Sequence, residues 1–279
     1  MAIFLALFSS GLWGSADFEG GRLSKRFPAI AVTGASQVMG LALGVVVVIV
    51  TGAWRTPAFG QNGYLISGVL AGATGYIGLI CLYAGLATGR MGVVSPISSL
   101  CAIVPVTIAL AGGEHLSYLQ AVGIAVALAG AFCASGPEIT GGVSLRPLLL
   151  AIGAASGFGT ALTFMARGSV SSALMTMVMM RVTTTAISGT IALKFRTMGG
   201  FTRRDLGSLA YIGIADFSAN LFVGIASTHG LVSVVMVLGS LFPIMTALLA
   251  FKILHERLHR VQYVGIVLAV AGVAIISAA

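Results

Sequence analysis

Acidic side chains are scarce in this sequence: seven Asp and Glu stand among 279 residues, and all charged residues together make up 8%. Water-soluble domains carry about 25% charged residues, so a soluble protein of this size is excluded. With 58% hydrophobic residues and a mean hydropathy of +1.06, the chain needs lipid as its solvent. Long polar runs are missing too. The longest clearly polar stretch, 194–208, leaves no room for a separate soluble domain.

Other shortages remove whole classes of chemistry. The three cysteines, Cys81, Cys101 and Cys133, each lie in an apolar segment and form neither a CxxC pattern nor a disulfide framework. No Walker A loop is present, so ATP is not a direct energy source. The Asp-rich magnesium motifs of lipid-linked transferases are absent, since no two aspartates lie close together. The stretch 153–157 misses the Gly-x-Ser-Gly spacing of an intramembrane serine protease. The first segment lacks a basic leader and is followed by Asp17 and Glu19, so it is read as a retained helix rather than a signal peptide.

The net charge of +8 comes from Lys and Arg placed between hydrophobic segments. That placement points to membrane orientation and anionic headgroups rather than nucleic acid.

Hydrophobic runs bounded by Gly, Pro or charge fall at 2–22, 29–53, 64–88, 91–112, 118–136, 146–167, 173–193, 206–228, 230–251 and 260–278, which predicts ten transmembrane helices. The 38 glycines suit close packing of helices in lipid. An internal repeat organises them. "QAVGIAVALAGAFCAS" at 120–135 matches "QYVGIVLAVAGVAIIS" at 262–277, Gly92, Ser95 and Pro105 recur as Gly230, Ser233 and Pro243, and Gly14 and Arg22 align with Gly159 and Arg167. The expected organisation is a first five-helix repeat at 1–136, a linker loop at 137–145 and a second repeat at 146–279. Five being odd, the second copy enters the membrane from the opposite side. The expected fold class is thus an all-α integral membrane protein of two inverted five-helix repeats, a plan typical of alternating-access transporters.

The stretch 255–259, His255-Glu256-Arg257-Leu258-His259, spells the H-E-x-x-H of zinc peptidases. The repeat sets it opposite Glu114-His115-Leu116, which shares the Glu and the Leu but neither zinc-ligand His. A catalytic zinc takes three protein ligands, and no third-ligand pattern accompanies the motif. We therefore read it as loop chemistry, with Glu256 capping or orienting the last connection. No metal and no cofactor is expected. An enzyme with zinc at His255 and His259, or a receptor that binds without transporting, are the alternatives.

The duplicated plan, the early "WGSADF" at 13–18, and the "GEHLS" and "HERLH" stretches before each Gly-rich closing helix resemble the EamA family of the drug/metabolite transporter superfamily. The resemblance covers the whole chain. It implies a ten-helix carrier of small metabolites, some relatives being amino-acid exporters. Asp17 and Glu19 depart from the usual first helix.

With ten helices, twelve Lys and Arg fall on one face, from Arg22 and Lys25 through Arg257 and Arg260, and only Arg55 and Arg167 on the other. Basic loops stay cytoplasmic, which predicts a multi-pass protein of the inner (plasma) membrane with both termini on the non-cytoplasmic side.

Ionisable groups inside spans are costly and generally face an interior. Three stripes at steps of three and four stand out: Ser10, Gly14, Asp17 and Gly21; Ser156, Thr160, Thr163 and Arg167; and Gly213, Asp216, Asn220, Gly224 and Ser227. All three are expected to look inward. Arg181, amid "MTMVMMRVTTT", wants a carboxylate: that of a substrate, or a fixed partner such as Asp17 or Asp216. Asp216 and Asn220 would receive an amine or hydroxyl, and Asp17 or Asp216 would carry any coupled proton. Trp13, Tyr76, Tyr83 and Phe217 are candidate aromatic walls for an apolar side chain, with core packing or interfacial anchoring as the alternative. Pro105 and Pro243 are candidate hinges, and the methionines at 175–180 are read as core or lipid contact. The expected partners are a small-molecule substrate and the bilayer, with the chain a monomer or homodimer.

Overall fold

The computed structural model describes residues 1–56, 58–60, 62–86, 91–136, 145–195, 199–253 and 259–279; at Tyr83, Leu86, 91–93, Ser95, Phe195 and Ala250 it describes the backbone alone. All regular structure among these residues is helical: α1 (Ala2–Ser24), α2 (Ala29–Thr51), α3 (Tyr64–Leu86), α4 (Met91–Ser99), a 3-10 turn (Leu100–Ala102), α5 (Ile103–Ala111), α6 (Tyr118–Ala134), α7 (Leu145–Phe195), α8 (Leu206–Ser227), α9 (Val232–Gly239), α10 (Phe242–Ile253) and α11 (Arg260–Ala278). Six stretches among the described residues are long and apolar enough to cross a membrane: 29–51, 64–82, 145–194, 206–227, 232–253 and 260–278.

At 1.5 Å per residue the 51 residues of α7 would run about 77 Å if straight, far beyond a bilayer. Instead the helix breaks at Ser172, whose backbone is extended. The Ser172 hydroxyl accepts from the Met175 amide at 3.2 Å, capping the second arm. The arms fold back on each other. Along α3, Gly68 and Gly72 face Met179 and Thr183, while Gly78 faces Phe158 and Gly85 faces Leu150, so the second arm climbs as α3 climbs and the first descends.

The clearest trace of the sequence repeat lies where α6 meets α11. A Cβ on Gly123 would stand 2.7 Å from Ile276, and one on Gly272 would stand 2.5 Å from the Ala127 amide nitrogen; Gly130 abuts Ala269 and Gly265 abuts Ala134. Contacts that ascend α6 descend α11, so the two helices are antiparallel. In the repeat Ala127 corresponds to Ala269, and Gly130 to Gly272. Each contact is therefore accompanied by its repeat-exchanged twin, the signature of a two-fold interface. Glycine lets the backbones touch here, where dispersion rather than the hydrophobic effect holds helices together.

A second exchanged pair involves the broken segments. Gly14 of α1 lies against Phe242 and Met245 of α10, as Gly159 of α7 lies against Cys101 and Val104. That geometry matches Phe242 with Cys101, whereas the sequence match joined Pro105 to Pro243, so the two prolines stand at different heights. Each is buried in the first turn after an interruption, the 3-10 turn before α5 and Ser240–Leu241 before α10. Proline is tolerated in a helix's first turn, where its missing donor has no intrahelical acceptor. The core between the helices holds Met165, Met177, Phe217, Met236 and Leu238.

Candidate functional site

Buried polar groups converge where α1, α2, α7 and α8 meet. Small residues make the approach possible. A Cβ on Gly213 of α8 would stand 2.8 Å from the Gly40 nitrogen of α2, and one on Gly40 would stand 3.5 Å from Arg181 Nε. Any larger side chain at these two positions would push α2 and α8 apart.

Arg181 is 2% exposed. One of its terminal nitrogens lies 2.8 Å from Asp216 Oδ2, and the other donates to Gln37 Oε1. Gln37 also accepts from the Thr184 hydroxyl at 2.9 Å and offers its amide nitrogen to Asp216 Oδ2 at 3.4 Å. The other carboxylate oxygen of Asp216 accepts from Trp13 Nε1 at 3.0 Å and from Asn220 Nδ2 at 3.1 Å. One guanidinium and one carboxylate are thus neutralised inside a shell of amide, indole and hydroxyl groups. The arginine is not fully satisfied: its nitrogen nearest Asp216 meets the carboxylate as a charge contact without hydrogen-bond geometry, so the pair depends on the mutual attraction of the two charges. Arg181 is deep, while the Asp216 side chain keeps 25% of its surface exposed, so any approach to the pair comes from the Asp216 side.

Arg181, Asp216, Asn220 and Trp13 are therefore brought together, with Trp13 acting as a hydrogen-bond donor as well as an aromatic surface. Gln37 and Thr184 join them and were missed in the sequence reading. The available signal was a lone carboxamide in α2, whose other polar side chains are the hydroxyls of Thr33, Ser36 and Thr51; an amide is costly to leave unpaired in lipid. Asp17 makes no hydrogen bond to these groups, but it lies near enough to Asp216 for the two carboxylates to repel each other; its surface is exposed, as is that of Gly21, while Ser10 and Gly14 on the same face are buried. The first-helix stripe is therefore enclosed over only part of its length.

The stripe at 156–167 is corrected further. Thr163 is buried, but Ser156 and Arg167 are exposed, and Arg167 lies over the Phe164 ring at 5.9 Å. On α8, Gly213, Asn220, Gly224 and Ser227 are buried as expected. Phe217 packs into the α2–α8 seam against Gly44 and is 1% exposed, so it is core rather than a wall. Tyr76 is buried and has no hydrogen bond to the polar cluster among the described residues, and the Tyr83 side chain lies outside the described residues. Met175 and Met177 belong to the packed core. His255 and Glu256 also lie outside the described residues. His259 is exposed at the start of α11, where its amide donates to Gln262 Oε1 at 2.9 Å. Ser117 and Gln120, the repeat counterparts, form a reciprocal cap at α6, so a cap suffices to account for this position.

A cavity of about 550 Å³ between α1, α8 and α10 is lined by Leu7, Phe8, Leu12, Tyr211, Met245 and their neighbours. It opens on the flank of α1 and does not include the charge pair.

Residues 145–278 match the model of the EamA-like transporter family. No curated protein sequence matches the chain. A solved crystal structure shares the fold across 99% of this chain and 98% of its own, with a TM-score of 0.82 at 17% identity.

Proposed function

We propose that this chain, whose residues 145–278 belong to the EamA-like transporter family, is a secondary transporter that moves small polar or zwitterionic metabolites, amino acids among them, outward across the inner membrane by alternating access. The observation that carries this reading is the buried Arg181–Asp216 pair, held at 2.8 Å between helices and reachable from one side. A zwitterion is neutral overall, as the pair is. Its carboxylate would take the Arg181 guanidinium while its ammonium took the Asp216 carboxylate, so no charge would be left unpaired in a medium where that is costly. Asn220 and Trp13 would steer the amine end, and Gln37 would hold Arg181 in place throughout.

The architecture we infer has ten spans in two inverted repeats, 1–136 and 146–279. The antiparallel α6–α11 contact and the exchanged Gly14 and Gly159 contacts support it. The breaks before Pro105 and Pro243 would act as hinges, and both termini would lie opposite the basic loops.

The test is counterflow in proteoliposomes loaded with a pool of amino acids and related metabolites, comparing wild type with Arg181→Ala and Asp216→Asn. Saturable exchange of a carboxylate-bearing solute, lost in Arg181→Ala protein that remains folded, is the expected result. Exchange that survives in both variants would move the site elsewhere, and absence of exchange for every solute would sink the zwitterion reading.

A further inference from the structure

The first amides of a helix have no intrahelical acceptor, and a side chain at the N-cap normally supplies one. α9 begins after Leu231, which has no such group. Its amides are met from the other half of the chain. Glu114, in the connection between α5 and α6, accepts from the Val232 amide through one carboxylate oxygen and from the Ser233 amide through the other, both at 2.9 Å. A carboxylate at a helix N-terminus gains from the aligned peptide dipoles as well as from two charge-assisted bonds. The turn that aims it depends on Gly113, whose φ of 93° is in the region that favours glycine.

This contact lies at a closed end of the molecule. Ser233 through Gly239 are all buried. A Cβ on Gly230 would stand 2.8 Å from Ala2, and the Ser9 hydroxyl donates to the Ala219 carbonyl at 2.7 Å. The other end of α1 differs. One face of it stays packed on α2 and α8, with Leu23 buried and Glu19 accepting from the Ser208 hydroxyl at 2.7 Å, but Asp17 and Gly21, on the face that is buried at Gly14, are exposed, and nothing lies within 4 Å of a Cβ placed on Gly20 or Gly21.

We infer that Glu114 is a positioning residue for transport: it latches the end of the α1–α9 seam away from the basic loops, and the structure is the conformer open toward those loops. The inference rests on the alternating-access reading above. Opening the latched end costs both carboxylate bonds and leaves two amides to be met by water, so the latch sets how readily that end opens. Glu256, the repeat counterpart, lies outside the described residues.

The test uses Ser233→Cys as reporter in the full-length protein in lipid nanodiscs, with Cys81, Cys101 and Cys133 replaced by Ala. Ser233 is fully buried and its hydroxyl has no hydrogen-bond partner among the described residues, so the exchange removes no bond. The rate of reaction with a soluble maleimide is expected to rise about tenfold when Glu114→Ala is added, and less with Glu114→Gln, whose amide oxygen still accepts one bond. Gly21→Cys, at the open end, is expected to react more slowly in the same Glu114 variants, since opening one end closes the other. A merely local role would raise the Ser233→Cys rate and leave Gly21→Cys unchanged. That result would overturn the inference, as would equal Ser233→Cys rates with and without Glu114. If Glu114→Ala does not yield monodisperse protein, Glu114→Gln against wild type decides by the same two rates. Counterflow is read separately: reciprocal labelling without exchange of any solute counts against the transporter reading, while exchange without a labelling response counts against the latch.

Discussion

Arg181 of α7 and Asp216 of α8 form an ion pair at 2.8 Å in which the arginine is almost wholly enclosed and the aspartate is not. This asymmetry makes the pair stable at rest and open to competition from one direction. Removing either partner leaves a charge with no counter-ion between helices. Each of Arg181→Met and Asp216→Leu is therefore expected to cost about 3–5 kcal/mol, and the double variant much less than the sum. Unfolding of all four proteins in a detergent series gives the coupling; strictly additive losses would mean that the pair contributes nothing as a pair.

The α6–α11 seam gives a prediction in which space alone decides. A Cβ at Gly272 would stand 2.5 Å from the Ala127 nitrogen, whereas one at Gly189 of α7 meets nothing within 4 Å. Gly272→Ala is expected to destabilise by about 1–3 kcal/mol through overpacking against backbone. Gly189→Ala is expected to be neutral or to gain up to about 1 kcal/mol from helix propensity. Melting temperatures of the two variants side by side check the contrast.

At the start of α8, Asp205 is 3% exposed. It accepts from the Thr202 hydroxyl at 2.6 Å and the Thr202 amide at 2.9 Å, and pairs with Arg26 at 3.1 Å. The Thr202 hydroxyl, then the Thr202 amide and Arg26, hold its carboxyl below the ordinary value of 3.8 despite burial. A lowered folded value means that the stabilisation is complete above the unfolded pKa and fades as the pH falls through the folded one. The stability gap between wild type and Asp205→Asn should therefore be constant near neutrality and shrink only below about pH 4. A gap that closed between pH 6 and 8 would point to some other group.

Much of the fold was legible because lipid imposes simple rules. The apolar runs place the helices closely, α2, α3 and α11 beginning where the hydrophobic pattern starts and α6 beginning at Tyr118 as expected. Two features fell short. The break in α7 narrows to the single residue Ser172, since one extended residue with a capping hydroxyl suffices to reverse the chain. Asp17 shares a helical stripe with buried Gly14 yet is exposed, because periodicity fixes a face but not how far along the helix its neighbour extends.

Sequence by itself determined that this is a membrane protein of apolar helices, that the stretch 120–135 recurs at 262–277, and that Arg181, Asp216 and Asn220 are too costly in lipid to lack partners. Those conclusions follow from composition and spacing, which act locally. Only the tertiary structure decided that Gln37 and Thr184 complete the charge cluster, that Phe217 belongs to the core, and that Glu114 caps a helix in the opposite half. These are contacts between residues more than a hundred positions apart, or between residues whose surroundings such contacts set. They depend on which glycines let which backbones approach, and no local pattern encodes that.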